Sequence, residues 1–382
     1  MIPYGRQSIS HEDLAAVEAV LLSDWLTQGP AVPRFEAAVA DYVGARHAVA
    51  VNSATSALHI ACAALGVGPG SRVWTVPNTF VASANCARYC GAEVGFVDID
   101  SRSYCIDAAD LERRLQAARA SASLPDVLVS VDFAGQPCDY EAIAKLKAEF
   151  GFRVIEDASH AIGATLGDLR VGALPVADIT VFSFHPVKIV TSAEGGMLLT
   201  ADARIADSAR RLRSHGIERE LTRLENKDEG GWYYEQQELG WNYRITDLQA
   251  ALGASQVARI DAFLARRRAL ALRYDNALAA LPLQRPWQRP NALSAYHLYP
   301  ILLRDADQRR QVYERLREAG IGVQVHYLPV HLQPYYRAQG FALGDFPVAE
   351  WYADRTLSLP IYADLTDSEQ DRVIATLTEV LR

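Results

Sequence analysis

The chain has 382 residues, half of them hydrophobic and 22% charged, which suits a folded protein of two domains or of one large and one small domain. Its formal charge of −8 argues against nucleic acid or an anionic membrane as the main partner, while leaving room for a local basic pocket. No run of about 18 apolar residues occurs, so no transmembrane span is expected.

Met1–Arg6 lacks the basic-then-apolar texture of a signal peptide, and a cytoplasmic protein is expected. Residues 11–22 carry apolar positions at helical spacing, with Ser10 as the N-cap. Leu26–Pro30 is a turn by composition, and a second helix follows near Pro33–Val43. His47–Val51 reads as a strand running into a helix start at Asn52–His59. Small hydroxyl residues at that junction either cradle an anion such as a phosphate or simply cap the helix. Beyond the Gly68–Gly70 turn, strands are expected at Arg72–Pro77, Gly91–Asp100, Asp126–Asp132 and Phe152–Asp157. Helices open at Asn78 and span 108–119 and 139–150. The five cysteines (Cys62, Cys86, Cys90, Cys105, Cys138) are odd in number and scattered, so buried free thiols are expected rather than disulfides or a zinc site.

This alternation predicts an α/β domain with a mainly parallel sheet. Ligands of such sheets gather at the carboxyl ends of the strands. The Asn52–Ser56 turn, Phe80 and Asp157 all fall at such ends. After Thr200, helix-rich sequence runs to Glu220, residues 222–238 read as an exposed loop, and a long helix with a break runs from about Thr246 to Ala280. Pro282, Pro286 and Pro290 mark a hinge-like segment. Strand-like Leu298–Leu303, a helix over 307–319 and the segment Val323–Tyr327 predict a smaller α+β domain. The expected division is 1–250 and 251–382, with the N-terminal segment packing on the small domain.

The stretch Val181–Gly196 is the chemical centre of this pattern. Lys188 lies there among apolar and small residues, between strand-like Asp178–Phe184 and Gly196–Thr200. An ammonium in such surroundings is partly desolvated, which lowers its pKa and frees the amine as a nucleophile. Taken alone, Lys188 reads first as one of many surface lysines whose stem covers apolar wall, and the rest of the chain has to overturn that. Its company changes the balance. Pyridoxal phosphate needs a lysine, a carboxylate beside its pyridine nitrogen, a phosphate cup and a flat group against its ring. Lys188, Asp157, Ser53–Ser56 with Ser183, and Phe80 offer that set in order.

Asp157–Ala161, Ser183–Lys188 and Glu194–Gly196 together resemble the signature of the DegT/DnrJ/EryC1/StrS family, sugar aminotransferases of the fold-type-I pyridoxal phosphate class. Asn52–Leu58, Gly240–Arg244 and His326–Pro329 match family blocks as well, so the likeness covers nearly the whole chain. Pro3–Gln7, Leu26–Pro30, Pro77–Asn85, Ser130–Gly135 and Val325–Tyr327 are similar to the branch that aminates a UDP-linked 4-keto-6-deoxy-N-acetylhexosamine in pseudaminic acid biosynthesis. The resemblance implies that Lys188 joins the cofactor's aldehyde and that Asp157 pairs with the pyridine nitrogen. It implies that His160 lies near the ring hydroxyl, Phe80 on the ring, and Ala54, Thr55 and Ser183 on the phosphate. Asn242 would reach the phosphate of a partner subunit, making a homodimer with shared sites. L-Glutamate is the implied amino donor. Arg6, Gln28, Arg244, His326 and Tyr327 are candidates for the sugar nucleotide, and each could equally be a packing residue. Ala193 stands where many relatives have glycine. Other readings stay open: a relative acting on another ketosugar, a sugar dehydratase (which carries histidine in place of the lysine), and a non-catalytic cofactor-binding regulator.

Overall fold

The computed structural model describes all 382 residues. Two helices, α1 (His11–Leu21) and α2 (Ala31–Val43), precede the sheet. Ser10 and Asp13 form a reciprocal capping box that starts α1. Strand and helix then alternate as β1 (His47–Val51), α3 (Ala54–Ala64), β2 (Arg72–Thr75), α4 (Ala82–Tyr89), β3 (Glu93–Phe96), α5 (Ala108–Ala120), β4 (Val127–Val131), α6 (Tyr140–Phe150) and β5 (Arg153–Asp157). A small hairpin, β6 (Thr165–Leu166) and β7 (Leu169–Arg170), leads to β8 (Ile179–Ser183), β9 (Gly196–Thr200) and α7 (Ala203–Leu212).

Seven strands form one sheet in the order β1-β9-β8-β5-β4-β2-β3. Only β9 is antiparallel to its neighbours, so the other six deliver their carboxyl ends to one edge. β4, β8 and β9 are buried at every residue, which explains apolar runs without alternation: both faces are covered. Side chains of α2, α5 and α6 pack on one face, and those of α3, α4 and α7 on the other.

The helix-rich texture after Thr200 is realised only in α7. His215 and Gly216 take φ values of 64° and 70° and turn the chain into β10 (Ile217–Glu218), which pairs with β11 (Glu235–Gln236) inside the polar segment. A Cβ on Gly216 would lie 1.8 Å from the Glu238 carbonyl oxygen, so the turn requires glycine.

The long helix is indeed broken, into α8 (Asp247–Val257) and α9 (Ile260–Ala277). α9 starts in the core of the large sheet with Phe263 and Leu264 and ends in a second core with Leu270 and Tyr274. Between them, fully buried Arg267 donates to the carbonyls of Tyr296, His297 and Ile361 at 3.1, 3.3 and 2.9 Å. It therefore pins three segments where the two cores meet.

The C-terminal part comprises β12 (Leu283–Gln284), β13 (Ala292–Leu293), β14 (Tyr299–Leu303), α10 (Gln308–Glu318), α11 (Pro334–Arg337), α12 (Pro347–Arg355), β15 (Thr356–Leu359) and α13 (Asp367–Val380). β12, β14 and β15 form a sheet, while β13 pairs with β6. The N-terminus joins this part: Ile2 exchanges backbone hydrogen bonds with Gly320 and Gly322, and the Tyr4 carbonyl accepts from Ile361 N–H. Val323–Tyr327 makes one bridge, Gln324 to Ser358, then leaves for the carboxyl edge of the large sheet. All five cysteines are free, and no helix is long and apolar enough to cross a membrane.

Candidate active site

A cavity of about 950 Å³ opens at that carboxyl edge. Ala54, Thr55, Phe80, Asp157, His160, Ser183, Lys188, His326 and Tyr327 all line it. They come from five separate places in the chain, and the sheet order brings them together: Ala54 follows β1, Phe80 follows β2, Asp157 ends β5 and Ser183 ends β8. Arg6, Gln28, Asn242 and Arg244 do not line it. Arg6, Gln28 and Asn242 are exposed, and Arg244 is partly buried.

Ser53 caps α3 by accepting the Ser56 N–H. The N–H groups of Ala54 and Thr55 and the hydroxyls of Thr55 and Ser183 have no partner within the chain. The capping reading therefore holds for Ser53, while the unpartnered N–H groups and hydroxyls are the ones an anion could take. Ser183 pairs with Gly196 in the sheet, and a Cβ on Gly196 would lie 2.4 Å from the Ser53 carbonyl. That close approach sets Ser183 beside the start of α3.

Lys188 Nζ takes part in no hydrogen bond and no salt bridge. The amine is reachable from the cavity, but protein surrounds it elsewhere. Burial lowers its pKa to about 8, against an opposing pull from Asp157. Ala193, five residues on, takes φ 65°, a region glycine enters freely, and its N–H is held by Thr191 Oγ1 at 3.0 Å.

Asp157 is buried and forms no salt bridge, yet both its oxygens are bonded. Oδ2 accepts the Ser83 hydroxyl at 2.6 Å, and Oδ1 accepts the Ser159 hydroxyl at 2.6 Å and the Ser159 N–H at 3.2 Å. Neither serine stands out as a site residue in the sequence. Ser159 carries a legible signal, an Asp-x-Ser spacing that lets a side chain close a local turn. Ser83 carries none, being 74 residues from its partner.

Three imidazoles complete the wall or back it: His160, His297 and His326. Burial, and then the charge of Lys188, push His160 and His297 well below the usual histidine range and His326 down to about 3. All three are neutral at physiological pH. Ala134 N–H donates to His160 Nδ1 at 3.3 Å, which places the ring proton on Nε2, 3.2 Å from the Tyr327 hydroxyl. His160 thus donates to Tyr327, whose own proton is free to donate elsewhere. His326 Nδ1 is held by Ser358 Oγ at 2.8 Å. Tyr4 was not anticipated here; it enters through the N-terminal pairing with the C-terminal part, as do Gln249 and Gln324 through tertiary packing.

A desolvated amine, a hydroxyl-held carboxylate, unpartnered N–H and hydroxyl groups at a helix start and an exposed phenyl at one cavity are a donor set that fits pyridoxal phosphate. Comparison with known proteins agrees. Residues 7–378 match the model of the DegT/DnrJ/EryC1/StrS aminotransferase family, and the chain belongs to that family. It is 39% identical to the spore coat polysaccharide biosynthesis protein SpsC of Bacillus subtilis, over 100% of this chain and 97% of that protein. Among solved structures it resembles Helicobacter pylori PseC, an aminotransferase involved in pseudaminic acid biosynthesis, with a TM-score of 0.90 and 30% identity over 100% and 99% of the two chains. The pyridoxal phosphate form of the putative sugar aminotransferase Spr1654 from Streptococcus pneumoniae has a TM-score of 0.89 and 28% identity, over 99% and 98%. The fold is accordingly that of the fold-type-I transferases, and the enzyme is a pyridoxal phosphate-dependent aminotransferase.

Proposed function

We propose that this aminotransferase moves the amino group of L-glutamate to carbon-4 of a UDP-linked 4-keto-6-deoxy-N-acetylhexosamine. The observation that carries the chemical part is the unpaired, half-buried Lys188 amine facing the same cavity as Asp157 and the start of α3. The likeness to PseC and SpsC, both tied by name to sugar pathways, supports the acceptor. In this reading Ala54, Thr55 and Ser183 hold the phosphate, Phe80 covers the ring, His160 lies by its hydroxyl and Asp157 by its nitrogen. When bound, the cofactor supplies an aldehyde for amines and a ring that draws electrons from the carbon beside the nitrogen.

The chain's own part is proton handling and placement. Lys188 Nζ would take the α-proton of the amino donor as a base and pass it, as an acid, to what was the cofactor's aldehyde carbon; in the other half it would take a proton from that carbon and deliver one to carbon-4 of the sugar. His326 and Tyr327, with Tyr4, Gln249 and Gln324 around them, present neutral donors and acceptors suited to sugar hydroxyls. Asn242, Arg6, Gln28 and Arg244 serve the sites of a homodimer in this proposal. Its support is the exposed apolar run Leu21, Leu22, Trp25 and Leu26, which adjoins Gln28 in the chain and the Arg244 segment through the bridge of Thr27 to Thr246.

The substrate test is glutamate-dependent amination of the 4-keto product of a UDP-N-acetylglucosamine 5-inverting 4,6-dehydratase. Turnover of that sugar, with 2-oxoglutarate formed in equal amount, is the expected result. Turnover of the gluco-configured ketosugar alone would move the assignment to a relative. A second prediction follows from the Lys188 pKa. Only the neutral amine reacts, so the rate at which apoprotein takes up pyridoxal phosphate rises about tenfold per pH unit below 8 and levels off above it. Stopped-flow absorbance against pH reads this directly, and a profile flat from pH 6 to 9 would contradict it.

A further inference from the structure

We infer that Ser83 and Ser159 are positioning residues for the transfer reaction: their hydroxyls hold Asp157 as an aimed carboxylate, so that the acid pairs with the cofactor's ring nitrogen. The inference rests on the assignment of Asp157 proposed above.

Asp157 is 5% exposed and has no arginine or lysine hydrogen-bonded to it. A buried carboxylate with no cation bonded to it is costly unless hydroxyl or N–H donors satisfy its charged form. Here each oxygen has its own hydroxyl donor at 2.6 Å. The two serines come from different elements. Ser159 closes a turn two residues after the acid, so it fixes Oδ1 locally. Ser83 lies in the first turn of α4, is fully buried, and fixes Oδ2 from across the sheet edge. With a hydroxyl donor on each oxygen the carboxylate plane cannot rotate without breaking a bond.

Ser83 is itself oriented. Its single proton goes to Asp157, so the Thr79 hydroxyl, 2.7 Å away, donates to the Ser83 oxygen. Thr79 immediately precedes Phe80, which lines the same cavity. One short segment, Thr79–Ser83, therefore carries both the phenyl proposed for the ring face and the donor that sets the acid. Neutral hydroxyls suit this duty better than a cation. An arginine on Asp157 would compete with the ring nitrogen for its charge, whereas a hydroxyl leaves the negative charge available.

The test measures the pyridoxal phosphate dissociation constant of apoprotein, and the visible absorbance of the loaded protein against pH, for wild type, Ser83→Ala, Asp157→Ala and the double variant. Ser83→Ala is expected to weaken cofactor binding about tenfold and to shift the pH dependence of the visible band, with far-UV circular dichroism unchanged. In the Asp157→Ala background the same change should add less than twofold, because the group through which Ser83 acts is gone. Ser159→Ala, at a less buried position, should behave likewise, and Ser159→Thr should restore the wild-type profile. Equal losses in both backgrounds, or no loss from Ser83→Ala beside a large loss from Asp157→Ala, would overturn the serine inference alone. Undiminished affinity and an unshifted band in Asp157→Ala would overturn the assignment of the acid, and the serine inference with it.

Discussion

Lys188→Ala protein folds, binds pyridoxal phosphate without a covalent bond, and loses amino transfer by roughly 10⁴-fold or more. Both proposed duties of the side chain vanish together: the amine that bonds to the cofactor and the base that moves the proton. No neighbour can replace it. The imidazoles of His160, His297 and His326 are neutral and far weaker bases, with His326 lowered to about 3. Lys188→Arg should be as inactive, because a guanidinium stays protonated. The same substitution carries an opposite effect on stability. The Lys188 pKa is about 8 in the folded chain against about 10.4 in an unfolded one, so the folded state pays for holding the cation below pH 8. Removing the amine should therefore raise the melting temperature of the apoprotein at pH 7. That gain should shrink as pH climbs from 8 toward 10.4, where the unfolded chain also loses its proton. Assays of 2-oxoglutarate formation and melting scans at pH 7 and 10 check both halves. A variant retaining a tenth of the wild-type rate would remove Lys188 from the chemistry.

Sequence reading goes furthest where function is local in the chain. The strand-to-helix turn at Asn52–Ser56, the end of β5 at Asp157 and the Ser183–Lys188 segment are each short runs whose composition announces a carboxyl-edge ligand site, and the sheet gathers all three at one cavity. The start of a long helix near Thr246 and the presence of a break in it are legible for the same reason; the capping box and the place of the break, before Ile260, come from the structure. What was illegible depends on distance. Ser83 reaches Asp157 across 74 residues, and His297 packs against His160, with ring centroids 4.4 Å apart, through packing that no periodicity encodes. Tyr4 enters because Ile2 pairs with Gly320 and Gly322, a contact spanning most of the chain. The turn at His215–Gly216 went unread because a helical charge pattern continues through it, and only the close approach of Glu238 shows why glycine stands there. Ala193 is a subtler case. Its replacement of glycine reads as a small change in volume, while the φ of 65° makes it a change in backbone freedom.

Asp157→Asn is expected to lower the turnover number by about 10²- to 10³-fold while changing the Michaelis constant for the sugar little. Asparagine keeps the size of the side chain and can still accept one serine hydroxyl through its oxygen, so the cavity wall survives. What it removes is the charge. A neighbouring carboxylate raises the pKa of a bound cation by about 1–3, and without it the ring nitrogen gives up its proton near neutral pH and draws electrons less strongly. The proton that Lys188 is proposed to take from the donor's α-carbon then becomes harder to remove, and that step should turn rate-limiting. An α-deuterated glutamate tests this: the isotope effect on turnover should grow in Asp157→Asn relative to wild type. The loss should also deepen as pH rises, because a higher pH strips the unsupported nitrogen further, whereas the wild-type acid holds its proton in place. If the variant instead loses sugar affinity at an unchanged turnover number and isotope effect, Asp157 serves substrate placement and the electronic role falls.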